Sequence, residues 1–313
     1  MKKKVLIAAP VHPVITDGLE AAGYALKPAP GITQQSAPAL MADCTGVVTS
    51  TRLQLDKALI DAAPHLRWIG RMGSGMEVID VAYAAAKGIA CYSSPEGNSN
   101  AVAEHALGLL LALNKRIAVS AAEVQQGIWL REENRGTEIE GKTVGIIGFG
   151  HTGRAFARVL QGFGARILAY DVMPKRDVPP YVQLSARPEP IYAGADIVSF
   201  HVPISGDTHH YLDRAFIGRM QRPFVVINTS RGEVMSSADL EWGLGEGKIR
   251  GACIDVWEGE PLPKMPAGER ERLLRLSAMP QVIITPHIAG YTQEALYKMS
   301  RVLLDKIVPA GNS

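Results

Sequence analysis

The stretch Thr143-Val144-Gly145-Ile146-Ile147-Gly148-Phe149-Gly150-His151-Thr152-Gly153 decides how the rest of the chain is read. Its first five residues are mostly β-branched and apolar, which suits a short buried strand. Gly148, Gly150 and Gly153 follow in the spacing G-x-G-x-x-G. Residues 154–163 then place Phe156, Val159, Leu160 and Phe163 on one helical face. A bare glycine pattern means little, but one set between a strand and a helix describes a phosphate-binding turn. Gly148 permits the tight turn, Gly150 lets a pyrophosphate approach the backbone, and Gly153 lets the helix pack closely on the sheet. The helix start at His151 and Thr152 offers unpaired N–H groups and a positive dipole end to an anion.

The next strand, residues 166–170, ends at Asp171. An acid at that strand end can accept from a ribose 2′-hydroxyl and would repel a 2′-phosphate, which favours NAD over NADP. Lys175 and Arg176 lie nearby and temper that preference.

Outward from this turn, short runs rich in Val and Ile alternate with helical segments, the pattern of a parallel-sheet α/β protein. On the N-terminal side, strands are expected at residues 5–9, 46–50, 67–70 and 89–92, with helices at 55–63 and 78–87. Together they make a small doubly wound domain. Pro95, Gly97, Asn98 and Ser99 form a turn-rich junction, read as a hinge. A long helix is expected over residues 101–126 and a polar connection over 131–141. Strands at 143–147, 166–170, 196–200, 224–228, 249–254 and 282–285 then complete a dinucleotide-binding sheet. Beyond His287 there is chain enough for one helix, expected to pack back on the first domain. Pro261, Pro263 and Pro266 mark a surface excursion.

Bulk composition excludes several function classes. Charged residues make up 20% and apolar ones 47% of 313 residues, and Lys+Arg 33 against Asp+Glu 31 leaves a formal charge of +2. Such balance gives no global field for gripping nucleic acid or an anionic membrane. The apolar run at residues 106–113 is far shorter than the roughly 18 residues a spanning helix needs. The apolar start after Lys2-Lys3-Lys4 is broken by Pro10, His12 and Pro13, so it reads as a first strand and not a signal peptide. Cys44, Cys91 and Cys253 form no Cys-x-x-Cys pair and read as reduced thiols. A soluble cytoplasmic protein is expected.

Ligands of open α/β sheets bind outside the carboxyl ends of the strands. Strand 224–228 is followed by Thr229-Ser230-Arg231-Gly232, strand 249–254 by Asp255-Val256-Trp257-Glu258-Gly259-Glu260-Pro261, and the last strand by Pro286-His287. Reducing a 2-keto acid needs a hydride at the carbonyl carbon, a proton at its oxygen and a cation on the neighbouring carboxylate. Arg231 offers a planar fork of donors for that carboxylate. His287 can move the proton, because an imidazole titrates near neutral pH. Glu260 can hold the ring in one orientation and favour its protonated form. Each has a plainer reading alone: a loop arginine, a solvated acid, a packed loop histidine.

His201, after the strand at 196–200, is a reserve choice for a contact near the cofactor. His209-His210 suit a loop role, and His105 is expected to pack or snorkel on its helix. No spacing of His, Cys or acids suggests a metal site.

Taken together, Gly148-Phe149-Gly150-His151-Thr152-Gly153, Asp196-Ile197-Val198-Ser199-Phe200-His201-Val202-Pro203, Ile227-Asn228-Thr229-Ser230-Arg231-Gly232, Asp255-Val256-Trp257-Glu258-Gly259-Glu260-Pro261 and Thr285-Pro286-His287-Ile288-Ala289-Gly290 are specific. Through them the chain resembles the D-isomer-specific 2-hydroxyacid dehydrogenases over nearly its whole length. The resemblance implies a Rossmann cofactor domain, residues 98–288, inserted into a flavodoxin-like substrate domain, residues 1–97 and 289–313. It matches Arg231, Glu260 and His287 to the family's catalytic trio. It adds His201, Val202, Pro203, Thr229, Asp255 and Gly290 to the glycine turn and Asp171 as NAD contacts. Arg71-Met72-Gly73-Ser74-Gly75 matches the family's substrate loop, whose amides meet a carboxylate. The region of helix 101–126 and the arm after it implies a homodimer.

Residues 69–73 resemble those of D-3-phosphoglycerate dehydrogenases, in which case Arg52 and Arg71 would meet a substrate phosphate. Glu77 and Val78 stand where the family has Asp and Asn, a departure that bears on substrate preference. No regulatory domain is expected beyond Ser313. Two alternatives stay open: a hydroxypyruvate or glyoxylate reductase, and an NAD-sensing protein-binding module like the family's transcriptional co-repressors.

Overall fold

The computed structural model describes residues 3–309. The chain divides into two compact units, one from residues up to Ser99 together with those from Tyr291 onward, the other from Asn100 to Gly290.

Among the described residues, the first unit carries a five-stranded sheet of β1 (Lys4–Ile7), β2 (Ala25–Pro28), β3 (Gly46–Thr49), β4 (Trp68–Arg71) and β5 (Ala90–Ser93), in the order β2-β1-β3-β4-β5. All its pairings are parallel. Leu6, Val47 and Ile69 point into one apolar layer with Leu53, Leu55 and Leu59, while Val5, Val48 and Trp68 point into another. This alternation to two buried faces is what a sheet covered on both sides requires. Helix Gln293–Ile307 supplies Leu303 and Leu304 to the second layer, against Ile15 and Leu19 of helix Pro13–Ala21.

The second unit carries a seven-stranded parallel sheet: β6 (Thr143–Ile147), β7 (Arg166–Tyr170), β8 (Val182–Ser185), β9 (Ile197–Phe200), β10 (Phe224–Asn228), β11 (Ile249–Ile254) and β12 (Val282–Ile284), ordered β12-β11-β10-β9-β6-β7-β8. The order reverses at β6, so β7 and β9 flank the strand that feeds the glycine turn. Such a reversal opens a crevice at the carboxyl edge. The expected doubly wound α/β class, in two sheets, is what the chain forms.

Three local expectations are corrected. Pro95, Gly97, Asn98 and Ser99 are not a turn-rich stretch; they belong to helix Pro95–Asn114. Proline is accommodated in a first turn, where its missing N–H would have no intrahelical partner. The single helix over 101–126 is two, Pro95–Asn114 and Ile117–Gln125, broken where Arg116 takes a left-handed φ of 54°. β2 and β8 were not expected as strands; both are sheet edges.

Candidate active site

The glycine turn is built as a dinucleotide cradle. Gly148 has φ +92°, and a Cβ there would lie 2.5 Å from the His201 carbonyl oxygen. A Cβ on Gly153 would come within 2.1 Å of the Gly148 carbonyl oxygen, so the helix reaches its close seat on the turn through that glycine. Gly150, the N-cap of helix His151–Leu160, faces open space where a Cβ would stand. Phe156, Ala157 and Leu160 bury the helix's apolar face, with Val159 and Phe163 partly buried beside them.

Asp171 is tied into this turn. Its Oδ2 accepts from the Phe149 N–H at 2.7 Å and lies 3.1 Å from Lys175 Nζ, and its Oδ1 accepts from the Met173 N–H at 2.8 Å. Arg154 donates to the carbonyls of Arg176 and Asp177, holding the following loop against the helix. The buried Thr229 hydroxyl, at the carboxyl end of β10, has no hydrogen-bond partner among the described residues. An open glycine, a free helix start and an orphaned hydroxyl on one sheet edge fit a bound dinucleotide.

Other expected cofactor contacts have different surroundings. His201 is buried, its Nε2 2.8 Å from Ser199 Oγ, and burial pushes its pKa down to about 3. It is therefore neutral and contributes shape, packed beside Phe156. Val202 is half-buried and Pro203 exposed, while Gly290 is half-buried at the end of the last loop.

Arg231, Glu260 and His287 leave the ends of β10, β11 and β12, which are neighbours in the sheet. Each turn has its own fastening. Asn228 Oδ1 accepts from the Ser230 N–H and hydroxyl while its Nδ2 donates to the Arg231 carbonyl, an Asx-type turn that sets Arg231 at the edge. A Cβ on Gly232 would meet the Trp257 carbonyl carbon at 2.2 Å, so this turn rests directly on the loop that carries Glu260. Arg231 Nη1 donates to the Ser230 carbonyl at 2.6 Å.

Glu260 Oε2 accepts from the Trp257 N–H at 3.0 Å, and Oε1 bonds His287 Nδ1. A carboxylate partner requires a proton on Nδ1, which leaves Nε2 as the atom that exchanges one. The hydrogen bond to Glu260 raises the His287 pKa against the desolvation that lowers it. The charges of Glu260 and Asp255 reinforce the rise, and the Arg231 charge opposes it.

Asp255 is 1% exposed. Its Oδ1 accepts from the Thr285 hydroxyl at 2.6 Å and the Ile288 N–H at 2.9 Å, and its Oδ2 from the Ala289 N–H at 2.8 Å. Burial alone would raise its pKa, but these bonds and His105 outweigh it and hold the carboxyl below its ordinary value. His105, expected only to pack on its helix, lies 3.0 Å from Thr285 Oγ1 and 3.4 Å from Asp255 Oδ1.

The first unit holds the other expected residues. Arg71 ends β4, is buried, and donates to the Met72 carbonyl of its own loop. Gly73 is pinned by Ser94, whose hydroxyl accepts the Gly73 N–H at 3.0 Å and whose N–H donates to the Gly73 carbonyl at 2.9 Å. Met72 is buried, Ser74 exposed and Gly75 half-buried, and exposed Arg52 bonds the Pro30 carbonyl. Sequence reading missed Ser94 because a serine after an edge strand carries no distinguishing pattern.

Among the described residues, no cluster of three or more His, Cys, Asp or Glu side chains could hold a metal ion. No helix among them is long and apolar enough to cross a membrane.

Residues 107–289 match the family model described as D-isomer specific 2-hydroxyacid dehydrogenase, NAD binding domain. The hydroxypyruvate reductase of Thermotoga maritima is 35% identical over 267 residues, 85% of this chain and 83% of that protein. The D-3-phosphoglycerate dehydrogenase of Methanocaldococcus jannaschii is 31% identical over 97% of this chain but 56% of its own length, so this chain spans little more than half of that relative. A crystal structure of D-lactate dehydrogenase from Aquifex aeolicus, complexed with NAD and lactic acid, superposes with a TM-score of 0.83 at 25% identity, covering 97% of this chain and 94% of that one. With a matched cofactor fold, a relative matched over more than four fifths of both chains and a shared two-sheet architecture, the chain belongs to the D-isomer specific 2-hydroxyacid dehydrogenases, NAD-dependent enzymes acting on a CH–OH group.

Proposed function

We propose that the protein interconverts a small D-2-hydroxy acid and its 2-keto acid, with Arg231, Glu260 and His287 as the catalytic set. The carrying observation is that the three side chains leave neighbouring strand ends, with Glu260 bonded to His287 Nδ1. NAD, when bound, supplies or accepts the hydride. Arg231 binds the substrate carboxylate and polarises the adjacent carbonyl. His287 Nε2 gives its proton to the carbonyl oxygen during reduction and takes it back during oxidation. Glu260 stabilises the imidazolium and fixes its plane. The amides of Gly73, Ser74 and Gly75 serve an anionic substrate group, on a loop held by Ser94.

Two substrate readings have separate support. A phosphorylated keto acid is favoured by Arg52 after β3 and Arg71 at the end of β4. Unphosphorylated hydroxypyruvate or glyoxylate is favoured by the engagement of both guanidinium groups with backbone carbonyls. Following NADH absorbance with glyoxylate, hydroxypyruvate, phosphohydroxypyruvate and phenylpyruvate in turn decides between them. No turnover with any 2-keto acid, in protein shown to bind NADH, would point to an NAD-sensing binding module instead.

Cofactor choice rests on Asp171. Asp171→Ala is expected to weaken NADH binding and to narrow its advantage over NADPH, read by fluorescence titration; an unchanged ratio of the two dissociation constants removes Asp171 from ribose recognition. Because Lys175 already neutralises part of the Asp171 charge, Lys175→Met is expected to widen that ratio.

A second copy of the chain is the proposed partner. Ile117 and Val124 are each 53% exposed and Trp129 is 77% exposed, on the helix Ile117–Gln125 and the arm after it. Apolar side chains so concentrated mark an interface. Trp129→Glu is expected to convert a dimer to monomer in light scattering, and a wild-type monomer would refute this.

A further inference from the structure

Beneath the proposed catalytic histidine lies a second one. The His287 backbone has φ 55°, the left-handed region, which costs an ordinary residue on the order of 1 kcal/mol and persists only where its surroundings enforce it. The enforcement comes from the end of β11. The Asp255 carbonyl accepts the His287 N–H at 2.7 Å, and the Asp255 carboxylate takes the N–H groups of Ile288 and Ala289. That carboxylate is in turn aimed by the Thr285 hydroxyl. Since the Thr285 proton points at Asp255, the hydroxyl oxygen faces His105 as an acceptor, and His105 Nε2 must carry the hydrogen between them. His105 comes from helix Pro95–Asn114, far away in sequence.

We infer that His105 is a positioning residue for His287: its Nε2–H fixes the Thr285 hydroxyl and Asp255 carboxylate that lock the backbone of residues 287–289. The inference rests on reading His287 as the acid–base group. The bonds of His105 are to Thr285 and toward Asp255, so it acts on His287 through them. Its contribution is orientation: without His105 to hold its oxygen, the Thr285 hydroxyl is free to turn from Asp255, and a buried carboxylate that loses one donor redistributes its remaining bonds. The groups acting on His287 are Glu260, Asp255 and Arg231, so a loosened loop changes its alignment with Glu260 first.

The test compares His105→Leu with His105→Gln, whose side-chain amide has an N–H of similar reach. His105→Leu is expected to lower kcat about 10-fold, the scale of one buried hydrogen bond, with the keto-acid KM changed less than about twofold. The His287 ring titration, followed by NMR, is expected to move down toward the ordinary imidazole value. His105→Gln is expected to recover most of kcat and of the titration. Should the leucine variant not fold, Thr285→Val breaks the same link from the other end and is expected to show the same loss. Unchanged kcat and titration in the leucine or valine variant would overturn the role. So would equal losses in His105→Leu and His105→Gln with only a lowered melting temperature. His287→Ala, assayed in parallel, separates the two ideas: an active alanine variant removes the acid–base reading of His287, whereas an inactive one beside normal His105 variants removes only the role of His105.

Discussion

Replacing His287 with alanine is expected to lower turnover by about 100- to 10,000-fold, the range for loss of a positioned acid–base. Cofactor binding should survive, because the glycine turn and Asp171 lie on the other side of the sheet centre from β12. The size of the effect follows from the state of the ring. Glu260 fixes Nδ1 as a donor and raises the pKa, so the ring holds its proton to higher pH than a free imidazole and Nε2 is the atom that gives it. Alanine leaves no other acid on that loop: Pro286, Ile288 and Ala289 carry none. Steady-state rates with the best keto acid of the panel check this, and near-normal turnover would take His287 out of the mechanism.

Arg231→Gln is expected to reduce kcat/KM by on the order of 100- to 1,000-fold, equivalent to roughly 3–4 kcal/mol for truncating one partner of a hydrogen-bonded charge pair. Glutamine fits the turn that Asn228 and Gly232 shape, so the fold should be preserved while the fork of donors is lost. Arg231→Lys should recover little, since a point charge cannot hold a carboxylate in a bidentate plane. A glutamine variant whose kcat/KM stays within a few-fold of wild type would show that the substrate carboxylate is held elsewhere.

How much of this was legible in the chain differs from one element to the next. The central strands of both sheets are buried on two faces and write themselves as runs of Val and Ile, as in Phe224–Asn228. β2 and β8 were hidden because, unlike the other two edges β5 and β12, they carry no run of apolar residues. Ala25-Leu26-Lys27-Pro28 and Val182-Gln183-Leu184-Ser185 mix polar and apolar residues accordingly. Pro95 misled in the other direction, since proline ends helices more often than it opens them in a linear reading.

At the site, the residue types and their place after successive strands could be read directly. The bond between Glu260 and His287 could not, because it depends on how two loops from adjacent strands curl toward each other. The pairing of His105 with Thr285 is harder still. It joins residues 180 positions apart, and a histidine on an apolar helix face reads the same whether it packs or donates.

The most direct measurement is the pH dependence of kcat/KM for keto-acid reduction in wild type and in Glu260→Gln. A raised pKa keeps the proton on His287 to higher pH, so activity should hold through the ordinary imidazole range near 6.5 and fall only above it. Glutamine in place of Glu260 removes the stabilising charge, and the falling limb should move to lower pH. Superimposable profiles in the two proteins would contradict a proton held on His287 by Glu260.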